Sequence, residues 1–587
     1  MKSKHLKEIA ILWMLLSIPL VALSQDNLLI IAPDDFIDEL QPLRRFKDAS
    51  VRPTTLVSLN QIYVDPRFSG ADEAEQVKRC IAYYEQNNKI KHVLLVGDID
   101  QFPTRYRWWG LQQQEYWGVT DLYYADLYKN GTRTFDDWDV NNNGLYGEIE
   151  FTPHGSINND QIDFLPDVSV GRVPASTEAE VIAYVNKVIE YEMKVLPSSS
   201  WFKKAALYTG AWWSAHNTLK DDIAGYLSNK GFTQFIKRYT DFSTNPPTTP
   251  AGTPGVLISD LNSGVGLVNY AGHGNSDGWP CVNLYSSDLS GLTNFDKLPV
   301  VFSAGCETGM FARMARFEPY LDVNGGEHYG ANNGETLDLG AYPHTSLPRP
   351  ACIQNDADGG VSHGGVFYTY DMECFAETFL FGYHTDSTGA IAYVGARTGT
   401  RPNQAAELDR QFFKAYESGK VVLGEMWKYM LQQYYNNYEL SGSHTWFRDS
   451  TQWNDGHTLD EPQKFILFGD PSLVVGGAFG DTKSGTVYDN NGGPLNSYSR
   501  YRITGNIDIP SGKKLTVNNY ASVFFNAGTK ITATSPGSNE GLIVNGASDK
   551  PVYCLSLSEN PQSKYVACGM RIKGQMRIHN GGEIKLH

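Results

Sequence analysis

From Asp26 onward, short runs of branched and apolar residues bounded by turn residues alternate with longer amphipathic stretches. "NLLIIAP" reads as a strand, "DDFIDELQPLRRFKDA" as a helix with an acidic start, "RPTTLVSL" as a strand, "ADEAEQVKRCIAYYEQN" as a helix and "KHVLLVGD" as a strand. Continuous apolar strands separated by helices indicate a mostly parallel sheet covered on both faces. A polar interlude over residues 101–165 interrupts the rhythm, and "DVSVGRVP" and "TEAEVIAYVNKVIEYEMK" restore it. After "LPSSSW", which reads as a linker, the succession begins again with "KKAALYTG", "NTLKDDIAGYLSNKG", "VGLVNYAGHG" and "LPVVFSAGC". The pattern predicts an α/β protein with two tandem, mostly parallel units over residues 25–200 and 201–480. From about Thr482 the texture changes to short period-two runs separated by Gly and Asn, such as "NIDIPSGKKLTVNNYASVFFNAGTKITA". Residues 481–587 are therefore expected to form a small all-β C-terminal module, either a sandwich or a short solenoid.

The first 24 residues break this pattern differently. Lysines 2, 4 and 7 precede an apolar stretch from Ile9 to Leu23, and the small residues Ala22 and Ser24 precede Gln25. That order predicts a secretory signal peptide cleaved near Ser24 and Gln25, too short and wrongly flanked to remain as a membrane span. The mature chain is then secreted or held at the cell surface. Its length of 587 residues exceeds a single hydrophobic core, and 41% apolar with 19% charged residues is an ordinary globular composition. A net charge of −16 without a basic run argues against a nucleic-acid partner. Seven cysteines in an exported chain leave at least one thiol unpaired within the molecule.

Ligands of open α/β sheets sit beyond the carboxyl ends of the strands. In the second unit, "GVGLVNYAGHG" ends at His273 and "KLPVVFSAGCETG" ends at Cys306, so both side chains are expected on one rim of the sheet. An imidazole beside a thiol favours the thiolate and can return a proton to a leaving amine. The glycines around His273 permit close approach of backbone to a substrate carbonyl, and the N–H groups of Gly274 and Cys306 can face the developing oxyanion, each worth on the order of 3 kcal/mol. These are the parts of a peptide hydrolase.

At these residues the sequence resembles the gingipain-type cysteine peptidases, relatives of the caspases. "LVNYAGHG", "FSAGCETGMF", "MECFAETF" and "FILFGDPSLVV" match that family's pattern in order, and the resemblance runs from about Asp26 to Gly477. It implies a caspase-like catalytic region of two subdomains, protein or peptide substrates, His273 as proton donor and acceptor, and Cys306 as nucleophile. Three departures stand out. The strand "LYTGAWWSAH" places Ala211 and Trp212 where the family has an acid that orients the histidine, and His216 falls where arginine-specific members have an acid. The segment from Phe311 to Asp371 is longer than the family's link and reads as a lid or a self-cleaved loop; its Cys352, His328, His344 and His363 are spaced too widely for a zinc site. "RTGTRPNQAAELDR" corresponds to a specificity-pocket lining, in which Arg397 and Arg401 would favour acidic or polar substrate side chains and Glu407 or Asp409 basic ones, unless all four are surface charge.

A second chemistry is legible in "DVNNNGLYGEIE", which starts at Asp139. Asp139, Asn141 and Asn143 offer hard oxygens at alternate positions, Gly144 permits the turn, and Glu148 or Glu150 can close the shell, a pattern that fits structural Ca2+. The flanks do not read as EF-hand helices, so the expectation is an isolated loop, and an Asn/Gly turn without an ion has the same composition. Two functions remain in view from the sequence: a secreted cysteine endopeptidase acting through an acyl-enzyme, and a surface or matrix binding protein whose peptidase-like fold no longer turns over. A nucleotide-binding domain is set aside because no glycine fingerprint follows the first strand.

Overall fold

The apolar run after the signal-like segment forms strand β1, Asn27–Ala32, with Leu28 to Ala32 wholly buried, as expected of a strand covered on both faces. Helix α1 (Ile37–Ala49), β2 (Thr54–Ser58), α2 (Glu73–Asn88), β3 (Ile90–Val96), β4 (Ser169–Val173) and α3 (Glu178–Lys194) complete the first unit. The helix starts follow local chemistry. Asp72 accepts from the Glu75 N–H to cap α2, and Thr177 and Glu180 form a reciprocal capping box on α3. The second unit contributes β5 (Lys204–Thr209), α4 (Ala215–Ser228), β6 (Gln234–Arg238), β7 (Leu267–Ala271), β8 (Val300–Ala304), β9 (Ala392–Ala396), α5 (Pro402–Glu417), α6 (Leu423–Asn437) and β10 (Phe465–Phe468). In this computed structural model the described residues are, with short interruptions, 27–311, 373–437 and 460–545, together with short strands at 320–321, 327–328, 552–556, 577–578 and 584–586. The signal-like segment, Ala211, Trp212, Asn143, Gly144 and nearly all of the 311–371 insertion lie outside them.

The two units share one sheet. Its ten strands run in the order β6-β5-β7-β8-β9-β10-β4-β3-β1-β2. β10 is antiparallel to β9. The units meet where Phe468 lies opposite Arg172 and the Gly469 N–H donates to the Arg172 carbonyl at 2.7 Å. The segment "LPSSSW" is tied down rather than loose: the Ser199 N–H donates to Leu196 O, and Phe202 just beyond it is fully buried. Helix α1 packs on α3, and α4 packs on α5.

The polar interlude contains a four-stranded sheet in the order Gln114–Val119, Tyr106–Leu111, Ile149–Thr152, Gly155–Asn158. The C-terminal module resolves the alternative left by its period-two pattern. Strands β11 (Asp481–Thr486), β12 (Arg500–Ile509) and β14 (Ser522–Phe525) pair in parallel, and β13 (Lys514–Asn518) pairs in parallel with β15 (Gly541–Asn545). Parallel ladders stacked in this way make a short solenoid, with a small core that includes Ile503, Ile507, Leu515 and Val523. No helix among the described residues is long and apolar enough to cross a membrane.

Candidate active site

Strands β7 and β8 pair in parallel from Leu267 opposite Val300 to Ala271 opposite Ala304. Continued past the strand ends, that register sets His273 opposite Cys306. The two loops touch through backbone: a Cβ added to Gly274 would fall 2.4 Å from the Cys306 carbonyl oxygen and 2.9 Å from its nitrogen, so only glycine fits there. His273 is exposed and Cys306 half-buried at this rim. Among the described residues, no hydrogen bond engages the N–H of Gly274 or Cys306, the two amides expected to meet an oxyanion.

Tyr270, wholly buried on β7, donates its hydroxyl to the His273 carbonyl at 2.6 Å and stacks on Trp279 with ring centroids 4.5 Å apart. The Trp279 Nε1–H donates to Ser303 Oγ at 2.9 Å, and the Thr308 hydroxyl donates to the same oxygen at 3.1 Å. The histidine loop and the cysteine loop are thereby fastened to one buried network. Burial, reinforced by the neighbouring Cys281, Tyr393 and Cys306, raises the Tyr270 pKa well above the ordinary phenol value, so its hydroxyl stays protonated to donate.

The loop after β9 closes the other side of Cys306. Thr400 donates its N–H to Sγ at 3.3 Å, and its Oγ1 lies 3.5 Å from the same sulfur. Glu307, immediately after Cys306, adopts a left-handed conformation with φ of 58° and donates its N–H to Thr398 O at 3.3 Å. Beneath this loop lies a buried ionic cluster. Lys464 Nζ donates to Gly399 O at 2.9 Å and pairs with Glu461 at 3.0 Å and Asp460 at 2.8 Å, while Asp460 also meets Arg107 from the inserted sheet.

Of the other thiols among the described residues, Cys80 and Cys374 are buried; burial pushes the pKa of both up, the adjoining Glu377 carboxylate raises that of Cys374 further, and neither is poised to react. Cys281 is half-buried over the end of β5, close against Gly210.

The four charged residues expected to line a specificity pocket separate. Arg401 is exposed at the start of α5, with its N–H donated to Glu461 Oε1 at 3.0 Å. Arg397 is buried beside the ionic cluster, its N–H donated to Lys464 O at 3.0 Å. Glu407 accepts from Arg410 at 2.9 Å and from Gln411 and Asn437 at 2.7 Å, which commits it to the surface between α5 and α6. Asp409 corrects the expectation most clearly. It is 0% exposed and accepts from Lys220 Nζ on α4 and Asn269 Nδ2 on β7, each at 2.7 Å, so it fastens helices to the sheet and meets no substrate. Two positions apart on a helix, side chains project on nearly opposite sides, so Glu407 meets Arg410, Gln411 and Asn437 while Asp409 faces Lys220 and Asn269. His216 is buried edge-on to Trp213 at 5.2 Å, and burial together with Lys220 pushes its pKa down to about 3, leaving a neutral ring.

In the candidate calcium loop, Asp139 and Glu148 are buried, and Asn141 donates its amide to Glu148 Oε2 at 3.1 Å. The sequence reading missed Asp160, which accepts the N–H of Val140 at 3.0 Å and of Glu148 at 2.8 Å and so staples the two ends of the loop. Burial is the main cause that raises the Asp160 pKa, to about 8, with the charges of Glu148 and Asp139 adding to it. Among the described residues no three His, Cys, Asp or Glu side chains converge as a metal cluster. Asn143 and the side chain of Glu150 lie outside the described residues.

Against known proteins, the sequence profile of peptidase family C25 matches residues 22–332 and 360–476. Gingipain R2 of Porphyromonas gingivalis is 25% identical over 236 residues, which is 39% of this chain and 25% of that protein. Lys-gingipain of the same organism is 30% identical over 154 residues, 25% of this chain and 8% of its own length. The chain thus aligns with a quarter or less of the length of these relatives. The crystal structure of the Arg specific cysteine proteinase gingipain R superposes with a TM-score of 0.50 at 16% identity, covering 78% of this chain and 79% of that one. A complex of the Porphyromonas gingivalis gingipain pro- and mature domains gives a TM-score of 0.50 at 17% identity over 77% of this chain and 81% of that one. At this identity the likeness is one of fold, and it agrees with the caspase-like arrangement expected from the resemblance.

Proposed function

The chain belongs to peptidase family C25, and from that premise we propose that it is a secreted cysteine endopeptidase whose working pair is His273 and Cys306. The observation that carries the proposal is the β7/β8 register, which brings Gly274 against the Cys306 backbone at the carboxyl rim of the sheet. His273 takes the thiol proton as Cys306 Sγ attacks the peptide carbonyl carbon, and the carbonyl oxygen becomes an oxyanion facing the N–H groups of Gly274 and Cys306. Collapse of the tetrahedral adduct breaks the C–N bond. The leaving amine takes the proton from His273, and an acyl-enzyme remains on sulfur. Water, deprotonated by His273, releases the acid and restores the thiol. Export is supported by the order of basic, apolar and small residues at the N-terminus.

Replacing the nucleophile tests this directly. Cys306→Ala is expected to abolish cleavage of a mixed peptide library and labelling by a thiol-directed peptidyl probe, with an unchanged circular dichroism spectrum. Hydrolysis that survives in Cys306→Ala, or a wild-type protein that binds peptides without cutting any under reducing conditions, rejects the proposal; the second outcome favours the non-catalytic binding protein.

We also propose that the loop from Asp139 holds structural Ca2+. Asp139, Asn141 and Glu148 supply the oxygens among the described residues, and Asp160 pins the loop ends that present them. The donor set is all oxygen with two carboxylates, which suits a hard cation that takes six to eight oxygens. The ion would stiffen the loop and take no part in the chemistry at sulfur.

A further inference from the structure

The geometry points to Thr400 as a further catalytic residue, a pair of donors set on the Cys306 sulfur; this inference rests on Cys306 being the nucleophile proposed above. The Thr400 N–H reaches Sγ at 3.3 Å and its Oγ1 lies at 3.5 Å. Both contacts fall within the reach of a hydrogen bond to sulfur, and they differ in kind. The amide can only donate. The hydroxyl accepts from a neutral S–H and, once the proton has left for His273, turns to donate to the thiolate. Hydrogen bonds to an ionised group are the stronger ones, so both contacts tighten as charge develops on sulfur and favour the state that attacks.

The arrangement is built rather than incidental. Thr400 is 6% exposed, and the loop carrying it is held from both sides independently of the thiol. On the nucleophile's side, Glu307 N–H donates to Thr398 O, and Gly309 N–H donates to Ala396 O at 2.9 Å. From below, Lys464 Nζ holds Gly399 O, Lys464 O accepts the Arg397 N–H, and Glu461 Oε1 accepts the Arg401 N–H. Residues on each side of Thr400 are thus anchored to a buried pair, Lys464 and Glu461, immediately before β10. Lys464 and Glu461 act through the loop and are positioning residues; Thr400 touches the reacting atom.

The test uses alkylation of Cys306 by iodoacetamide, followed on the Cys306 peptide by mass spectrometry in the full-length protein. This readout needs no peptide substrate. Thr400→Val, which keeps the amide and the branched shape but loses the hydroxyl, should alkylate about tenfold more slowly than wild type at pH 6. The difference should close at pH 9.5, where bulk base supplies the thiolate in either protein. In peptide hydrolysis the same variant should lose kcat with little change in KM, and Thr400→Ser should return both readouts to within about twofold of wild type. Thr400→Ala serves in the same assays if Thr400→Val alters the circular dichroism spectrum. Equal alkylation of wild type and variant at pH 6, slowing by the same factor at both pH values, or failure of Thr400→Ser to rescue overturns the inference. A wild-type protein that alkylates at Cys306 yet hydrolyses no peptide defeats the peptidase proposal and leaves the alkylation comparison to decide Thr400.

Discussion

Asp470 shows how a residue legible as part of a pattern can have a role that is not. The run "FILFGDPSLVV" carries part of the family resemblance, yet nothing in its spacing names the partners of its acid. In the fold, Asp470 is 0% exposed and meets Lys47 Nζ of α1 at 2.6 Å, while the same ammonium meets Glu192 of α3 at 3.0 Å. Residues far apart in the chain supply that triad, so sequence periodicity could not reveal it. Burial is the largest influence on the Asp470 carboxyl and pushes its pKa up, but the Lys47 charge and the hydroxyl and N–H of Ser472 outweigh it, and the net shift is downward. A folded-state pKa below the usual carboxylate value near about 3.9 adds stability that is fully present above that value and disappears as pH falls through the folded one. Asp470→Asn should therefore destabilise the protein by about 3 kcal/mol at pH 7, since it leaves a buried charge less well matched. Urea unfolding of both proteins at pH 7 and pH 3 checks this: the gap should narrow at the lower pH, and a gap that widens would contradict the sign. Asp409 makes the complementary point. The family resemblance sets its stretch at the specificity pocket, but the α5 surface that carries it faces Lys220 and Asn269.

At the level of elements, the strands and helices with continuous apolar faces were readable, because period and length alone distinguish them. The rim that joins His273 to Cys306 was readable too, because parallel neighbours present the same edge, and glycine at 274 marks the close approach. The inserted sheet over 106–158 was not, since its strands carry Arg, Gln and Glu and offer no continuous apolar run to contrast with the surrounding turns. The Thr400 loop was equally silent; its anchors in the Lys464 and Glu461 pair come from a segment that follows two helices. The loop from Asp139, proposed to hold calcium, lies within the inserted sheet's connections and gives a prediction of its own. Dialysis against EGTA should lower the thermal midpoint, and added calcium at 100 times its dissociation constant should restore about 2.7 kcal/mol. Glu148→Gln should erase most of that increment. Identical melting curves with and without calcium would falsify the assignment and return the segment to an Asn/Gly turn.

Over the whole molecule, one sheet runs through both α/β units, and the solenoid is fastened to the first of them. Pairing order is not written in periodicity: the last strand of the second unit, β10, sits between β9 and β4, so the two halves that read as tandem share a continuous core. The solenoid's period-two runs fit parallel and antiparallel pairing alike, which is why a sandwich and a solenoid could not be separated from sequence. Its junction is specific. Phe524 of β14 packs edge-on to Phe46 of α1 with centroids 5.7 Å apart, and Arg502 Nη1 donates to the Lys194 carbonyl at the end of α3 at 3.1 Å. Phe524 is counted with the large core of the α/β units rather than with the solenoid's own small one. A module with so little internal core depends on the surface it rests on. Phe524→Ala, which removes about 3 kcal/mol of packing at that junction, should release the solenoid to limited trypsin digestion within residues 481–556 while hydrolysis of a small peptide substrate stays within about twofold of wild type. The site at β7 and β8 lies in strands whose packing partners belong to the α/β units, which is the reason for expecting the two effects to separate. Loss of peptide hydrolysis together with tail protection would show that the junction supports the rim that carries His273 and Cys306, and unchanged tail digestion would show that the solenoid stands without Phe524.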